Sequence, residues 1–293
     1  MRITDNMMVK STMDNLNRNL SRLEKLQSQI SSGKRVQRPS DDPVAVAKAL
    51  RLRASLETMD QQIRNIDLSQ GWLGKTESSL AGLGDFLGRA RELAVQAGNG
   101  TLSPADMKAI AQEVDQLFQQ AIQAGNDTYE NKYIFAGFKV TTAPFVTSGS
   151  PPGYIYRGDQ GKMNREIGVN AAVAVNITGS SVFPGVLDAL GTLRDRLNAG
   201  RADLMGASIG ELDAASSQVL ANRSSVGAIM NRLASAKDRL QEVQLYTKGL
   251  LSEIEDLDMA EAITRYMMQD NVYKASLGVS ARAIQPSLLD YLR

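Results

Sequence analysis

Ser32–Pro43 reads SGKRVQRPSDDP: a glycine, three basic residues, then two prolines that bracket Ser40, Asp41 and Asp42. Adjacent carboxylates suit acid–base chemistry, whereas this order of glycine and proline suits a break between two helices. Gly33 supplies a helix C-terminus, with Lys34 and Arg35 beside the negative end of the helix dipole. Pro39 keeps Arg38 out of helical geometry. Asp42 before Pro43 is an N-cap followed by a residue suited to the first helical turn, and Asp41 falls at the positive end of the same dipole. A paired-carboxylate active site needs partners in a concave pocket, and nothing in the sequence points to one. Pro39, Ser40, Asp41, Asp42 and Pro43 therefore read as an interdomain joint.

Upstream, Val9, Met13, Leu16, Leu20, Leu23, Gln27 and Ile30 recur at alternating spacings of four and three, with only Gln27 polar. That is a coiled-coil stripe. Downstream, Leu52, Leu56, Met59, Ile63, Ile66, Leu73, Leu80 and Leu87 continue at heptad spacing, with Gln70, Glu77 and Gly84 as gaps. Gly71, Gly74, Gly82, Gly84 and Gly88 each weaken this helix by about 1 kcal/mol, so either a backbone packs closely there or the helix bends. AGNGTLSPADM is a turn and a new start, with Ser103 as N-cap, Pro104 at the first helical position and Asp106 in the first turn. Met107, Ile110, Val114, Leu117 and Ala121 face inward from the helix that follows.

Between Lys139 and Phe183 prolines cluster and short alternating runs appear. YIYRG, REIGV and AVAVNITG are strand-like. From Gly185 to Gln285 no proline interrupts the chain. A short helix over Val186–Leu197 precedes a very long one through Val226, Leu233, Leu240, Leu250 and Leu257, and a last segment carries Ile263, Met267, Leu277, Ile284 and Leu288. The expected fold is mainly α: a long antiparallel helical bundle, or coiled coil, formed by both termini, with a small β-rich inserted outer domain.

Composition narrows the chemistry. The 293 residues are 43% hydrophobic but only 5% aromatic, which favours Leu, Ala, Met and Ile seams over one thick core. The net charge of +1 provides no overall field for nucleic acid or an anionic membrane. There is no His and no Cys. The commonest general base and metal ligand is thus missing, and so are the thiolate and the disulfide. No cofactor and no metal are expected. No apolar run approaches a membrane span or a signal-peptide core. The chain is expected to stay in the cytosol, or to leave it without a cleaved leader.

GASIG at Gly206–Gly210 matches the nucleophile elbow, with Ser208 as nucleophile. Its bland reading is a capping box of Ser208 and Glu211 opening the long helix, and no His is present to deprotonate the serine. The GKT at Gly74 has Ser69 where a P-loop needs its first glycine. DLDMAE near Asp256 lacks a calcium loop's ladder and reads as a solvated acidic helix face. Lys34, Arg35 and Arg38 have no interleaved aromatic residue for stacking nucleic acid bases.

MRITDNMM, SGKRVQRPSDDPVAVAKAL, AVQAGNGTLSPADM, NDTYENKYIFAGFKVTTAPF and IEDLDMAEAITRYMMQDNVYKASLGVSARAIQPSLLDYL, in this order, resemble the flagellin superfamily. Within it they are most similar to the hook–filament junction branch, hook-associated protein type 3. PSDDP with its second proline, the MRIT start and YIFAG followed by APF look more like that branch than like flagellin.

The resemblance implies no reaction. It implies a structural subunit made in the cytoplasm, escorted by an export chaperone through the flagellar type III channel, and placed extracellularly between hook-associated protein type 1 and the flagellin filament. Residues 1–38 and 258–293 would be an inner terminal coiled coil, 39–138 and 184–257 a helical rod, and 139–183 a small outer domain. The expected assembly seam is Val9, Met13, Leu16, Leu20, Leu23 and Ile30 against Leu277, Ile284 and Leu288, with the terminal segments ordering only when neighbouring copies cover them. Partners are further copies of itself, hook-associated protein type 1 and flagellin, with no nucleic acid and no membrane insertion. The alternatives are a flagellin filament subunit and, from other classes, a serine hydrolase using Ser208 with a lysine or carboxylate, or a cytosolic coiled-coil scaffold.

Overall fold

The computed structural model describes residues 5–99, 102–148, 153–168 and 171–284. Helices α1 (Asp5–Ser32), α2 (Pro43–Gly98) and α3 (Pro104–Gly125) are followed by short strands β1 (Thr128–Tyr129), β2 (Lys132–Tyr133), β3 (Phe145–Thr147), β4 (Tyr154–Tyr156), β5 (Asn164–Gly168) and β6 (Ala171–Ala174). Helices α4 (Phe183–Asn198), α5 (Met205–Glu255) and α6 (Met259–Ile284) complete the described chain. By contact it forms two compact units, residues 59–242 and residues 1–58 with 243–293, so α2 and α5 contribute to both.

In the 59–242 unit, α2 buries Ile66, Ser69, Leu73, Thr76, Leu80, Leu83, Leu87, Ala90, Ala94 and Ala97, an unbroken alternation of three and four. The positions expected to be gaps, Gln70, Glu77 and Gly84, are therefore not on the seam. Their neighbours Ser69, Thr76 and Leu83 are. Ser69 and Thr76 are tolerated there because each hydroxyl donates to a carbonyl one turn back, Asn65 O at 2.6 Å and Trp72 O at 2.9 Å. On α5, Met205, Ser208, Leu212, Ala215, Val219, Val226, Leu233 and Ala236 are buried at the same period. Glu77–Arg223 (2.7 Å), Asp67–Lys237 (2.7 Å) and Arg91–Asp213 (2.8 Å) cross between the helices in descending order, so the pair is antiparallel. Of the five mid-helix glycines singled out in α2, only Gly71 is required by a neighbour, the Tyr129 ring, whereas Gly74, Gly84 and Gly88 face open space.

Helix α3 starts as read from the sequence: the Ser103 hydroxyl accepts from the Asp106 N–H, the Asp106 carboxylate accepts from the Ser103 N–H, and Pro104 sits in the first turn. Helix α4 packs on α3, and Phe118, Val114, Leu187 and Leu190 belong to the same core cluster as the α2 and α5 seams. The strands form three antiparallel pairs, β1–β2, β3–β4 and β5–β6. Residues 139–183, expected as a separate outer piece, share this core through Phe145, Ile167, Val173 and Phe183. Phe145 lies 4.8 Å from the Phe183 ring and 5.0 Å from Tyr156. Only glycine fits beneath it at 125, where a Cβ would stand 2.6 Å from the ring.

Asn126, just past α3, fastens the β segment to the helices. Its amide donates to Phe145 O at 2.7 Å and its carbonyl accepts from Phe145 N–H at 2.9 Å, a strand-like pair of hydrogen bonds made by one side chain. Asn126→Asp keeps the shape but sets a carboxylate against a carbonyl. We expect it to destabilise the 59–242 unit by about 1–3 kcal/mol, read as a lower urea midpoint with an unchanged m-value.

Candidate functional site

In the terminal unit the buried side chains gather at the joint: Val36, Ala45, Ala49, Thr247, Glu255 and Ala262. Helix α1 ends at Ser32 because Gly33 turns left-handed (φ +68°), a conformation costly for other residues. The chain then folds back on α1. Gln37 donates to Ser28 O at 2.8 Å and Gln29 to Arg35 O at 2.6 Å. Asp42 caps α2, its Oδ1 accepting from Val44 N–H (3.1 Å) and Ala45 N–H (2.9 Å). Asp41 does not share the cap as expected. Its Oδ2 accepts from the N–H groups of Gln37 and Arg38 and its Oδ1 pairs with Lys25 at 2.8 Å, closing the turn. Pro39, Ser40 and Pro43 are exposed.

The basic half of the joint grips the end of α5. Arg35 N–H donates to Glu255 O (2.7 Å) and Leu257 N–H to Gly33 O (3.0 Å), a scrap of antiparallel ladder centred on Lys34 and Asp256. The Arg35 guanidinium donates to Ile254 O at 3.0 Å, at the negative end of α5. Beneath them Glu255, only 5% exposed, accepts from Arg53 (2.6 Å) and Lys34 (3.0 Å) on one oxygen. One carboxylate thus ties α5 to the joint and to α2. DLDMAE, expected to be a solvated face, is the opposite turn: Asp258 caps α6 through Ala260 and Glu261 N–H.

From this joint α1 and α6 run antiparallel. Along α1, Val9, Leu16, Leu20, Leu23 and Ile30 are half-buried, together with Thr12, Asn19 and Leu26, which the sequence reading left out. Met13 points to solvent. The facing stripe of α6 is not its most apolar one. Ala262, Tyr266, Gln269, Tyr273, Ser276 and Ser280 repeat at four and three and are covered, while Leu277 is 43% exposed. The expected pairing of α1 with Leu277 is therefore corrected within the chain. Ile284 is the last residue of α6 and its side chain lies outside the described residues, as does Leu288. Asn19 donates to Ser276 Oγ at 3.2 Å and accepts from Gln269 at 3.3 Å, a polar pin in the middle of the seam.

Ser208 is neither an elbow nor a cap. Helix α5 begins three residues earlier, and Ser208 is fully buried on its inner face, accepting from Arg196 at 2.8 Å while Glu211 pairs with the same guanidinium. A guanidinium cannot serve as its base. Among the described residues no group of acidic side chains is arranged to hold a metal ion, and no helix is long and apolar enough to cross a membrane.

The profile of the bacterial flagellin N-terminal helical region matches residues 3–140, and that of the flagellin C-terminal helical region matches residues 209–292. The chain belongs to the flagellin family. Flagellar hook-associated protein 3 of Salmonella typhimurium is 27% identical to this family member, over 94% of this chain and 95% of that one. Flagellin of Bacillus subtilis is 27% identical over 97% of both. The flagellar junction protein FlgL of Legionella pneumophila shares the fold, with a TM-score of 0.60 at 17% identity over 71% of this chain and 99% of that one. The two profile matches fall on the helical halves and leave residues 141–208 between them, which is where β3 to β6 and α4 lie.

For this flagellin-family joint, acid is the sensitive direction. Burial pushes the Glu255 carboxyl up, but hydrogen bonds from Arg53 and then Lys34 outweigh it and hold it below the ordinary range. Asp41 is lowered first by Lys25, then by the Arg38 N–H. Carboxylates depressed on folding contribute stability that is complete above their unfolded values, near 4, and is lost as pH falls through the folded ones. Protection factors of the Arg35 and Leu257 amides should hold from pH 7 to about 5 and collapse below about 4. Glu255→Gln should flatten that profile and cost about 1–3 kcal/mol at pH 7. This is less than a fully buried pair because both cations are nearly half exposed.

Proposed function

We propose that this flagellar structural protein forms the junction between the hook, met through hook-associated protein type 1, and the flagellin filament. The observation that carries this reading is the set of large apolar side chains that α6 leaves uncovered on either side of its α1 seam. Ile263, Met267, Met268, Val272, Leu277 and Val279 are all exposed, while the more polar stripe meets α1. A seam whose best apolar residues face outward is built to be completed by other subunits. The resemblance of the PSDDP joint and of the YIFAG-then-APF run to the junction branch supports the place in the flagellum. So does the hook-associated protein 3 relative that covers nearly the whole chain.

In this reading residues 1–38 and 258–293 are the inner assembly domain, 39–138 and 184–257 the rod, and 139–183 its outward side. The chain is exported through the flagellar type III route with a chaperone and acts outside the cell, without catalysis. The assembly seam is Val9, Leu16, Leu20, Leu23 and Ile30 with the exposed α6 residues, Leu277 among them, meeting neighbouring copies.

Deleting the gene should yield hooks that secrete flagellin without retaining filaments, and the wild-type chain should restore them. Leu20→Asp, or Met267→Asp with Val272→Asp, should leave the 59–242 unit folded by circular dichroism yet fail to restore filaments. Normal filaments on cells carrying these variants would overturn the seam. The 27% identity to a flagellin favours a second reading as a filament subunit. Loss of filament polymer itself, and growth of long filaments from the purified chain, would establish that one instead.

A further inference from the structure

Trp72, the chain's single tryptophan, is buried on α2 with its indole N–H lacking any acceptor among the described residues. It forms one wall of a pocket of about 200 Å³ with Leu68, Tyr129, Phe138, Val140 and Met163. Phe138 is 63% exposed at the mouth. The exposed cations Lys132 and Arg165 stand on the rim and outnumber its one exposed carboxylate, Glu130. The β1–β2 turn beside it is strained, because Glu130 (φ 49°) and Asn131 (φ 61°) both adopt left-handed backbone. Asparagine accepts that conformation readily and glutamate does not, and such strain collects at binding surfaces. An apolar hollow, a rim of two cations and one carboxylate, an unpartnered donor and a strained lip thus lie together.

A complementary feature lies on α5. Among the described residues the two most exposed large apolar side chains are Leu245 (73%) and Tyr246 (68%). Glu242 and Asp238, exposed one and two turns earlier, share their face. Leu245 and Tyr246 are exposed, and the hollow opens beside the exposed Phe138.

We infer that the Leu245–Tyr246 knob of one copy seats in the Trp72–Tyr129–Phe138 pocket of the next, with Glu242 against Lys132 and Arg165. The contact is heterologous, since knob and pocket are different surfaces, and repetition therefore generates a ring or a helical array. Apolar burial holds it and the charges fix its direction. It rests on the proposed role as an assembled subunit and assigns that assembly a second contact, outside the terminal helices.

The absence of cysteine makes the test clean. Cells lacking the wild-type chain would carry two full-length copies, one Phe138→Cys and one Tyr246→Cys, both at exposed positions. The flagellar fraction would then be treated with a short bismaleimide. A mixed adduct is expected, falling roughly tenfold when Glu242→Lys is added and recovering with Arg165→Glu. If the chain is present in the flagella but the adduct is no more abundant than for Ile155→Cys with Tyr246→Cys, the contact is wrong while the structural role stands. If the chain is absent from the flagellar fraction, the role falls and the contact with it.

Discussion

A single buried carboxylate organises the terminal unit. Glu255 is the last residue of α5, and through one oxygen it holds a lysine from the joint and an arginine from α2. A buried anion with no partner is expensive, so the two cations are not optional additions but the condition for its burial. The backbone ladder at Gly33, Arg35, Glu255 and Leu257 depends on the same arrangement, since it requires two turns, α1-to-α2 and α5-to-α6, to lie side by side. Asp42 and Asp258 then start the next helix on each side. Reversal of the chain at both places is thereby coupled to one electrostatic contact.

The helices were legible because their period and punctuation agree. Pro43 with Asp42, and Pro104 with Ser103, mark helix starts whose chemistry is local, and the structure has both. The three strand-like runs recovered β4, β5 and β6; β1 and β2 are too short for alternation to register, and β3, no shorter than β4, was passed over beside Pro144. Asn126 could not be recognised as the fastening of Phe145, because its partner is nineteen residues away and made of backbone. The α2 register was misplaced by one residue at alternate positions for a physical reason. Buried Ser69 and Thr76 look polar in the sequence, yet they return their hydroxyls to their own helix and sit in the seam as small residues do.

The functional surface was legible in kind and less so in orientation. Hydrophobicity singled out Leu277 and Met267 on α6, on the assumption that the most apolar stripe pairs within the chain. The structure gives the intrachain seam to alanine, serine, glutamine and tyrosine and leaves the aliphatic and methionine side chains open. Alanine and serine let the helices approach at their own positions, tyrosine contributes ring surface with a polar tip, and the Asn19 pin adds direction at some loss of stability. The sequence contained that signal as a second heptad through Ala262, Tyr266, Gln269, Tyr273 and Ser276, but a hydrophobic template passes over it. Likewise Ser208 and Glu211 carry the spacing of a cap, and only the guanidinium of Arg196, reached in three dimensions, explains the pair.

The antiparallel course of α1 and α6 also has a mechanical meaning. Their free ends lie together at the tip, and their other ends meet at the Glu255 clamp. Tension applied to Asp5 and Ile284 separates the pair one rung at a time, in the manner of a zipper, instead of loading the whole seam in shear. The half-covered rungs would part at low force, and the ladder with its buried carboxylate would open last. A chain so built can be drawn out from its ends with little work and still retain, at the joint, the template on which the two helices close again.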